Sequence, residues 1–328
     1  MTTPASLSTI GSEETFDEPT LAPRSPPHAR GAVGPHSPAV VVRPAGATPA
    51  WRRALRAFLR QRIAVVGVVL LAGIVAMAVL APVLYPGDPL DMAAAPFLWP
   101  GQDSAFPLGT DSLGRDVAAG IAHGARVSLL VGLWATVIGL TLGVLVGAVA
   151  GYFGGWVDDA AVRLVELFQT IPPFLLVIVL VAIWEPSIPT ITAAIGIVSW
   201  PQVARLVRAE FRSLRQKDFV MAARGLGFGH GRIIFLEILP NALPPIIVSS
   251  SVMVATAILM ESALSFLGMG DANRVSWGSM IGNGREVLRT AWFLTAVPGA
   301  TIVVTVLSLN LVSDGLNEAL NPRLDERR

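Results

Sequence analysis

Six apolar stretches, at residues 63–84, 127–152, 164–183, 188–207, 238–267 and 291–311, each hold about 20 residues in helical reach of one another. A helix of that length spans the ~30 Å hydrocarbon layer of a bilayer. The spacing therefore predicts an all-α polytopic membrane protein with six transmembrane helices. The third and fourth runs are separated only by "WEPSIPT", which requires a tight helical hairpin. Composition agrees with a chain that lives in lipid: 53% of the 328 residues are hydrophobic and 14% charged.

An even number of crossings puts both termini on one side, and the distribution of basic residues says which. Arg52, Arg53, Arg56, Arg60 and Arg62 precede the first run, Arg163 sits in the second loop, and Arg205, Arg208, Arg212, Arg215, Lys217, Arg224 and Arg232 lie between the fourth and fifth runs. Arg323, Arg327 and Arg328 follow the last. Only Arg115, Arg126, Arg274, Arg285 and Arg289 fall on the other side. Loops rich in Arg and Lys stay cytoplasmic, so the termini and the loop at 215–232 are expected there. Residues 1–50 are rich in Pro, Ser, Thr and Gly, carry Glu13, Glu14, Asp17 and Glu18, and lack an apolar core. They read as a disordered cytoplasmic tail rather than a signal peptide. The expected organisation is thus a tail (1–50), a first helix with an external loop (51–125), a transmembrane core (126–318) and a short cytoplasmic C-terminal tail (319–328).

Several chemistries are excluded. The chain has no cysteine, which removes disulfides, thiolate metal sites and cysteine nucleophiles. A net charge of +1 offers no broad basic field for nucleic acid. "RGLGFGHG" follows no strand, so it is no dinucleotide cradle, and the single lysine, Lys217, precedes Asp218 rather than Ser or Thr, so there is no phosphate-binding P-loop. "GMGD" could suggest an intramembrane aspartyl protease, but Asp271 and its only possible partner, Asp314, fall at opposite membrane faces. The four histidines, His28, His36, His123 and His230, assemble no triad. No catalytic residue and no metal site is expected.

What remains is packing and passage. Gly139, Gly143, Gly147 and Gly151 recur every four residues and form a seam where another backbone can approach. Glu261, with Ser262 and Ser265 beside it, is costly in lipid and should face the bundle interior or water. Asn310, Ser313, Asp314, Asn317 and Asn321 make a polar stripe on the last helix. For both groups, interhelical hydrogen bonding competes with a gating or pathway-lining role, for which Glu261, Asp314, Asn310 and Asn317 are the candidates. In the external loop, Thr110, Asp111 or Ser112 is expected to cap a helix opening at Leu113.

Taken in order, "FPLGTDSLGRDVAAG", "ARVSLLVGL", "GYFGGWVDD", "SWPQVARLVR", "DFVMAARGLGFGHGRIIFLEILPNALPPIIV", "ESALSFLGMG", "SWGSMI" and "DGLNEALNPRL" resemble the C-type membrane subunit of dipeptide and oligopeptide ABC importers, across roughly residues 106–324. The resemblance implies the type I importer fold and a permease for di- or oligopeptides in the bacterial cell membrane. Its partners would be a homologous B-type permease, two ATPase subunits or one fused ATPase chain, and an external substrate-binding protein. It implies no cofactor on this chain, ATP and Mg being used by the partners. Relatives carry dipeptides, longer peptides, glutathione or nickel complexes, with selectivity largely in the binding protein.

The resemblance also assigns the loop at 215–232 as a coupling helix that docks in a groove of the ATPase subunit. Ala222, Ala223, Gly227, Ile238 and Pro240 match the family's pattern, whereas Met221 stands where a glutamate is usual. Asp218, Phe219, Ala222, Ala223, Arg224, Gly225 and Gly227 are the expected docking residues, with Pro240 and Pro244 at the helix re-entry. The residues themselves agree, since Phe219, Ala222 or Ala223, and Leu226 place apolar groups on one helical face. The same face would also suit a helix resting on lipid headgroups. An ion-driven transporter using Glu261 or Asp314 is the competing class, and the lack of an inverted repeat argues against it.

Overall fold

The computed structural model describes residues 50–320. The tail expected over 1–50, apart from Ala50, and residues 321–328 with Asn321 and the last three arginines lie outside the described residues. The elements are α1 (Ala50–Arg60), α2 (Arg62–Leu84), α3 (Val117–Phe153), α4 (Gly155–Thr170), α5 (Pro173–Ile183), α6 (Ile188–Leu214), α7 (Asp218–Gly225), α8 (His230–Arg232), a π-helical stretch (Ile233–Ile238), α9 (Leu239–Phe266), α10 (Trp277–Gly284), a 3₁₀ turn (Arg285–Val287) and α11 (Phe293–Leu320). The segment His230–Phe266 is one continuous rod of 37 residues. All these elements are helical, and the only described β pairing is an isolated bridge between Thr110 and Asp116.

Five helices are long and apolar enough to cross a membrane: α2, α3, α6, the rod His230–Phe266 and α11. The third apolar run is not a straight span. It breaks after Thr170 and bends by 80° into α5, whose 11 residues rise only about 16 Å. The cause is Pro172 and Pro173, which withdraw two backbone donors and push Ile171 into an extended conformation (φ −97°, ψ 132°).

Helix direction decides whether this bent pair crosses. A methyl on Gly139 would meet the Gly196 carbonyl oxygen at 3.2 Å, one on Gly143 the Trp200 oxygen at 2.9 Å, one on Gly147 the Ala204 oxygen at 2.5 Å, and one on Gly151 the Arg208 oxygen at 2.7 Å. Both numbers rise together, so α3 and α6 run parallel. By this register Ile188 lies level with the α3 segment near Val131, about 33 Å up the axis from Phe153. The chain must climb that far through α4 and α5, whose two tilted pieces form the sixth crossing. The glycine seam is this parallel contact, where the absence of a Cβ lets the α6 backbone and the Val203, Val207 and Phe211 side chains come directly against α3.

Two other helix pairs run antiparallel. Gly67 of α2 faces Ser308 and Leu311 of α11, while Gly132 of α3 faces Val254 and Ile258 of α9. Near the end opposite α7, fully buried Trp277 donates its indole N–H to the Ile121 carbonyl at 3.0 Å, fastening α10 to α3. The helix expected to open at Leu113 does not form. Gly114 takes φ +76°, and the Asp111 carboxylate accepts from the amides of Leu113 (2.8 Å) and Arg115 (2.9 Å) as a turn. α3 starts later, at Val117, capped by Asp116, whose side chain accepts from the Ala118 amide at 2.8 Å.

Candidate functional site

Three linker residues after α6, the chain makes the eight-residue helix α7, with Lys217 extended at its N-cap. Its two sides differ. Val220 and Ala223 are buried in a cluster with Tyr152, Phe211, Ile233, Ile234 and Ile238. Phe219, Met221 and Leu226 point away, 39%, 56% and 73% exposed, and Asp218, Ala222, Arg224 and Gly225 are exposed with them. Ala223, expected on the docking face, therefore packs against the chain's own core. Ala222 takes the outward position.

The end of α7 is closed by Gly227 at φ +77°, where the amide of Gly227 donates to the Arg224 carbonyl (2.9 Å) and that of Phe228 to the Ala223 carbonyl (3.1 Å). This is a Schellman closure, and it requires a left-handed residue at that position. No atom lies within 4 Å of where a Gly227 side chain would begin, so the glycine serves conformation rather than space. The chain re-enters the bundle through the π-helical stretch, with Leu239 donating to Ile234. The wide turn directly precedes Pro240, in the first turn of α9, and Pro244 and Pro245 follow inside that helix. Prolines crowd the carbonyl four residues back, and a widened turn relieves that crowding.

Several polar contacts tie α7 and the segments flanking it to the helices. Buried Tyr152, at the end of α3, shares a 2.8 Å hydrogen bond between its hydroxyl and His230 Nδ1. The Arg224 guanidinium lies 5.3 Å from the centre of the Tyr152 ring. Arg215, in the linker between α6 and α7, donates to the Tyr152 carbonyl at 3.0 Å, satisfying the C-terminus of α3. Two turns earlier, Arg208 of α6 donates from Nε and Nη2 to the Asp158 carboxylate of α4, the latter at 2.7 Å, with Arg212 Nη1 3.8 Å away. These contacts join the segments on either side of α7 to α3, and α6 to α4, with Arg224 the contact from α7 itself. None of these pairs was singled out in the sequence reading, since 78 residues separate Tyr152 from His230.

The other candidates lie apart from α7. Glu261 is 2% exposed and accepts hydrogen bonds from Ser265 (2.7 Å) and Ser128 (3.2 Å), so its carboxylate sits between α9 and α3 facing the interior. Ser313 donates to the Val248 carbonyl at 3.1 Å. Asn310, Asp314 and Asn317 are exposed on α11. Asp271 accepts from the Ile188 amide at 3.2 Å, at the end opposite Asp314, so no carboxylate pair forms. Among the described residues no group of acidic or histidine side chains is arranged to hold a metal.

Residues 143–326 match the profile of the binding-protein-dependent transport system inner membrane component, and residues 50–107 that of the N-terminal transmembrane domain of oligopeptide transport permease C. The dipeptide transport system permease protein DppC of Alkalihalophilus pseudofirmus is 38% identical over 84% of this chain and 90% of its own length. The chain belongs to the binding-protein-dependent transport permeases. The di/tripeptide permease DppC of Pseudomonas aeruginosa is 38% identical over 82% of this chain and 91% of its own. The glutathione transport system permease protein GsiD of Pectobacterium atrosepticum reaches 35% over 87% and 95%. Among solved structures, the inward-facing MetNI methionine ABC transporter aligns with 60% of this chain and 94% of its own at TM-score 0.49 and 17% identity. The protein is thus a multi-pass membrane permease component of an ABC importer, not an enzyme. It works with an ATPase partner and a binding protein.

Within this permease, Glu261 gives a direct test of what a buried carboxylate does. Glu261→Leu removes the acceptor of Ser265 and Ser128 and is expected to cost about 2 kcal/mol, or a few degrees of unfolding temperature in detergent. Glu261→Gln keeps an acceptor and should unfold close to wild type. If Glu261→Gln also transports normally, the residue acts as a packing bond; transport loss with stability retained would assign it to gating.

Proposed function

We propose that this chain is the C-type permease of a di- or oligopeptide importer, and that α7 is the element through which ATP hydrolysis in a partner drives it. The observation that carries the reading is the two-sidedness of α7. Val220 and Ala223 are anchored in the bundle, while Phe219, Met221 and Leu226 stand exposed on a helix too short to be stable alone. A rigidly held helix with outward apolar residues suits insertion into a groove on a partner. A homologous B-type permease would complete the pathway, with Asn310, Asp314 and Asn317 of α11 and Glu261 as candidates for lining or gating it. Separate or fused ATPase subunits would bind ATP and Mg.

With six crossings both termini would lie on one side, and the arginines of α1 together with Arg215 and Lys217 of the α6–α7 linker favour the cytoplasm of a bacterial cell for it. The peptide reading draws support from the DppC relatives, named as dipeptide and di/tripeptide permeases, while the GsiD relative is named for glutathione, a γ-linked tripeptide. In alternating access, closure of the ATPase subunits pulls α7, and α3, α6 and α4 follow through Tyr152, Arg215 and Asp158.

The test is uptake of a labelled dipeptide by cells with and without this chain. Uptake lost on deletion and restored by the intact gene is the expected result. Unchanged dipeptide uptake, with loss of a different solute, would overturn the substrate while leaving the permease assignment standing.

A further inference from the structure

The helix α1, "AWRRALRAFLR", carries Arg52, Arg53, Arg56 and Arg60 and no acidic residue, Arg62 follows at the start of α2, and the next acidic residue along the chain is Asp88. Arg52, Arg56 and Arg60 recur every four residues and so share a face. Leu55 and Leu59 recur on the neighbouring face and are 48% and 59% exposed. Arg56, Arg60 and Arg62 are exposed, and none of the three forms an ion pair among the described residues. On its other side α1 is fastened: a methyl on Gly315 of α11 would stand 2.8 Å from the Phe58 ring and 3.1 Å from the Gln61 side chain.

α1 is not a continuation of the first span. Gln61 is extended (φ −86°, ψ 100°) and interrupts the helix, so the chain changes course before entering the bilayer. Immediately beyond it, Ile63, Val66 and Val69 of α2 are 68%, 52% and 64% exposed and require lipid around them. Leu55 and Leu59 thus lie within two turns of the hydrocarbon boundary. Exposed leucines beside unpaired arginines make poor contact with water and good contact with a layer that is apolar beneath and negatively charged above. The adjoining end of α11 carries two carboxylates, Asp314 and Glu318, against the three exposed arginines Arg56, Arg60 and Arg62.

We propose that α1 is an interfacial helix that seats Leu55 and Leu59 at the acyl boundary and holds anionic lipid headgroups through Arg56, Arg60 and Arg62. Charge complementarity and continuity with the lipid-exposed surface of α2 select this occupant. Each arginine near an anionic surface shifts the seated-to-lifted equilibrium about fivefold, so two shift it about 30-fold.

Because the chain has no cysteine, Leu55→Cys provides a single labelling site in the full-length protein. The labelled chain is placed in nanodiscs of phosphatidylcholine alone or with phosphatidylglycerol, and quenching by a lipid-chain quencher is read. The expected result is strong quenching only with phosphatidylglycerol, relieved by high salt and by the double variant Arg56→Gln/Arg60→Gln. A label at Val79→Cys, on α2 and 68% exposed, should be quenched alike in every case and reports that the protein is inserted. Equal quenching of the Leu55 label in both lipids would overturn headgroup recognition. No quenching in either, or shielding only when the ATPase subunit is added, would show that water or a protein covers this face.

Discussion

Leu226→Asp is expected to leave the permease inserted and folded while weakening its association with the ATPase subunit at least 100-fold. Leu226, the C-cap of α7, is 73% exposed and makes no contribution to the bundle core. Burying a leucine in a partner's groove contributes about 1.5–3 kcal/mol, and forcing a carboxylate into the same groove adds a desolvation penalty. Each 1.4 kcal/mol is a factor of ten, so the combined loss passes two decades. Co-purification in mild detergent measures it, with ATPase activity of the assembled transporter as a second readout. Three companion variants separate docking from folding. Met221→Glu, which introduces at an outward position the glutamate that the resemblance implies, should keep the partner. Ala223→Leu overpacks a site only 5% exposed and should lower thermal stability first. Gly227→Val must hold a β-branched residue at φ +77°, so it should fray the end of α7 and weaken docking in proportion. Full ATPase association by Leu226→Asp and Phe219→Asp would remove α7 from the interface.

The legible parts of this fold were those governed by composition or by a local period. An apolar run of 20 residues has one stable solution in a bilayer, and a glycine every fourth position has one obvious use. Glu261 was legible because a carboxylate in such a run has to turn inward, as it does toward Ser128 and Ser265. The position of α7 was legible, but not which of its faces looks out. Val220 and Ala223 are as apolar as Phe219 and Leu226, and only the bundle beneath decides between them. The break at Ile171 was written in two adjacent prolines, yet the run around them was long enough to pass for a straight helix. The bonds that hold α7 in place, Tyr152 to His230 and Arg215 to the end of α3, join residues more than 60 positions apart. No periodicity reports such a pair, and its partners become visible only once α3 and α6 are known to run parallel.

That parallel contact is the most demanding part of the bundle, and substitution in it should be correspondingly costly. Gly147→Leu is expected to abolish accumulation of folded protein, and Gly147→Ala alone to destabilise it by about 1–3 kcal/mol. The first methyl would stand 2.5 Å from the Ala204 carbonyl oxygen and 2.8 Å from Val207 Cβ, and neither neighbour is a flexible side-chain end that can swing aside. Relief requires α3 and α6 to separate, which breaks the neighbouring close approaches at Gly143 and Gly151 and with them most of the dispersion contact along the seam. Gly73→Ala on α2 is the control: no atom lies within 4 Å of its added methyl, and alanine is the better helix former by up to about 1 kcal/mol. Thermal unfolding in detergent should therefore move down for Gly147→Ala and remain level or rise for Gly73→Ala. Equal behaviour of the two variants would mean that α3 and α6 do not touch through their backbones. The parallel register, and the sixth crossing inferred from it, would fall together.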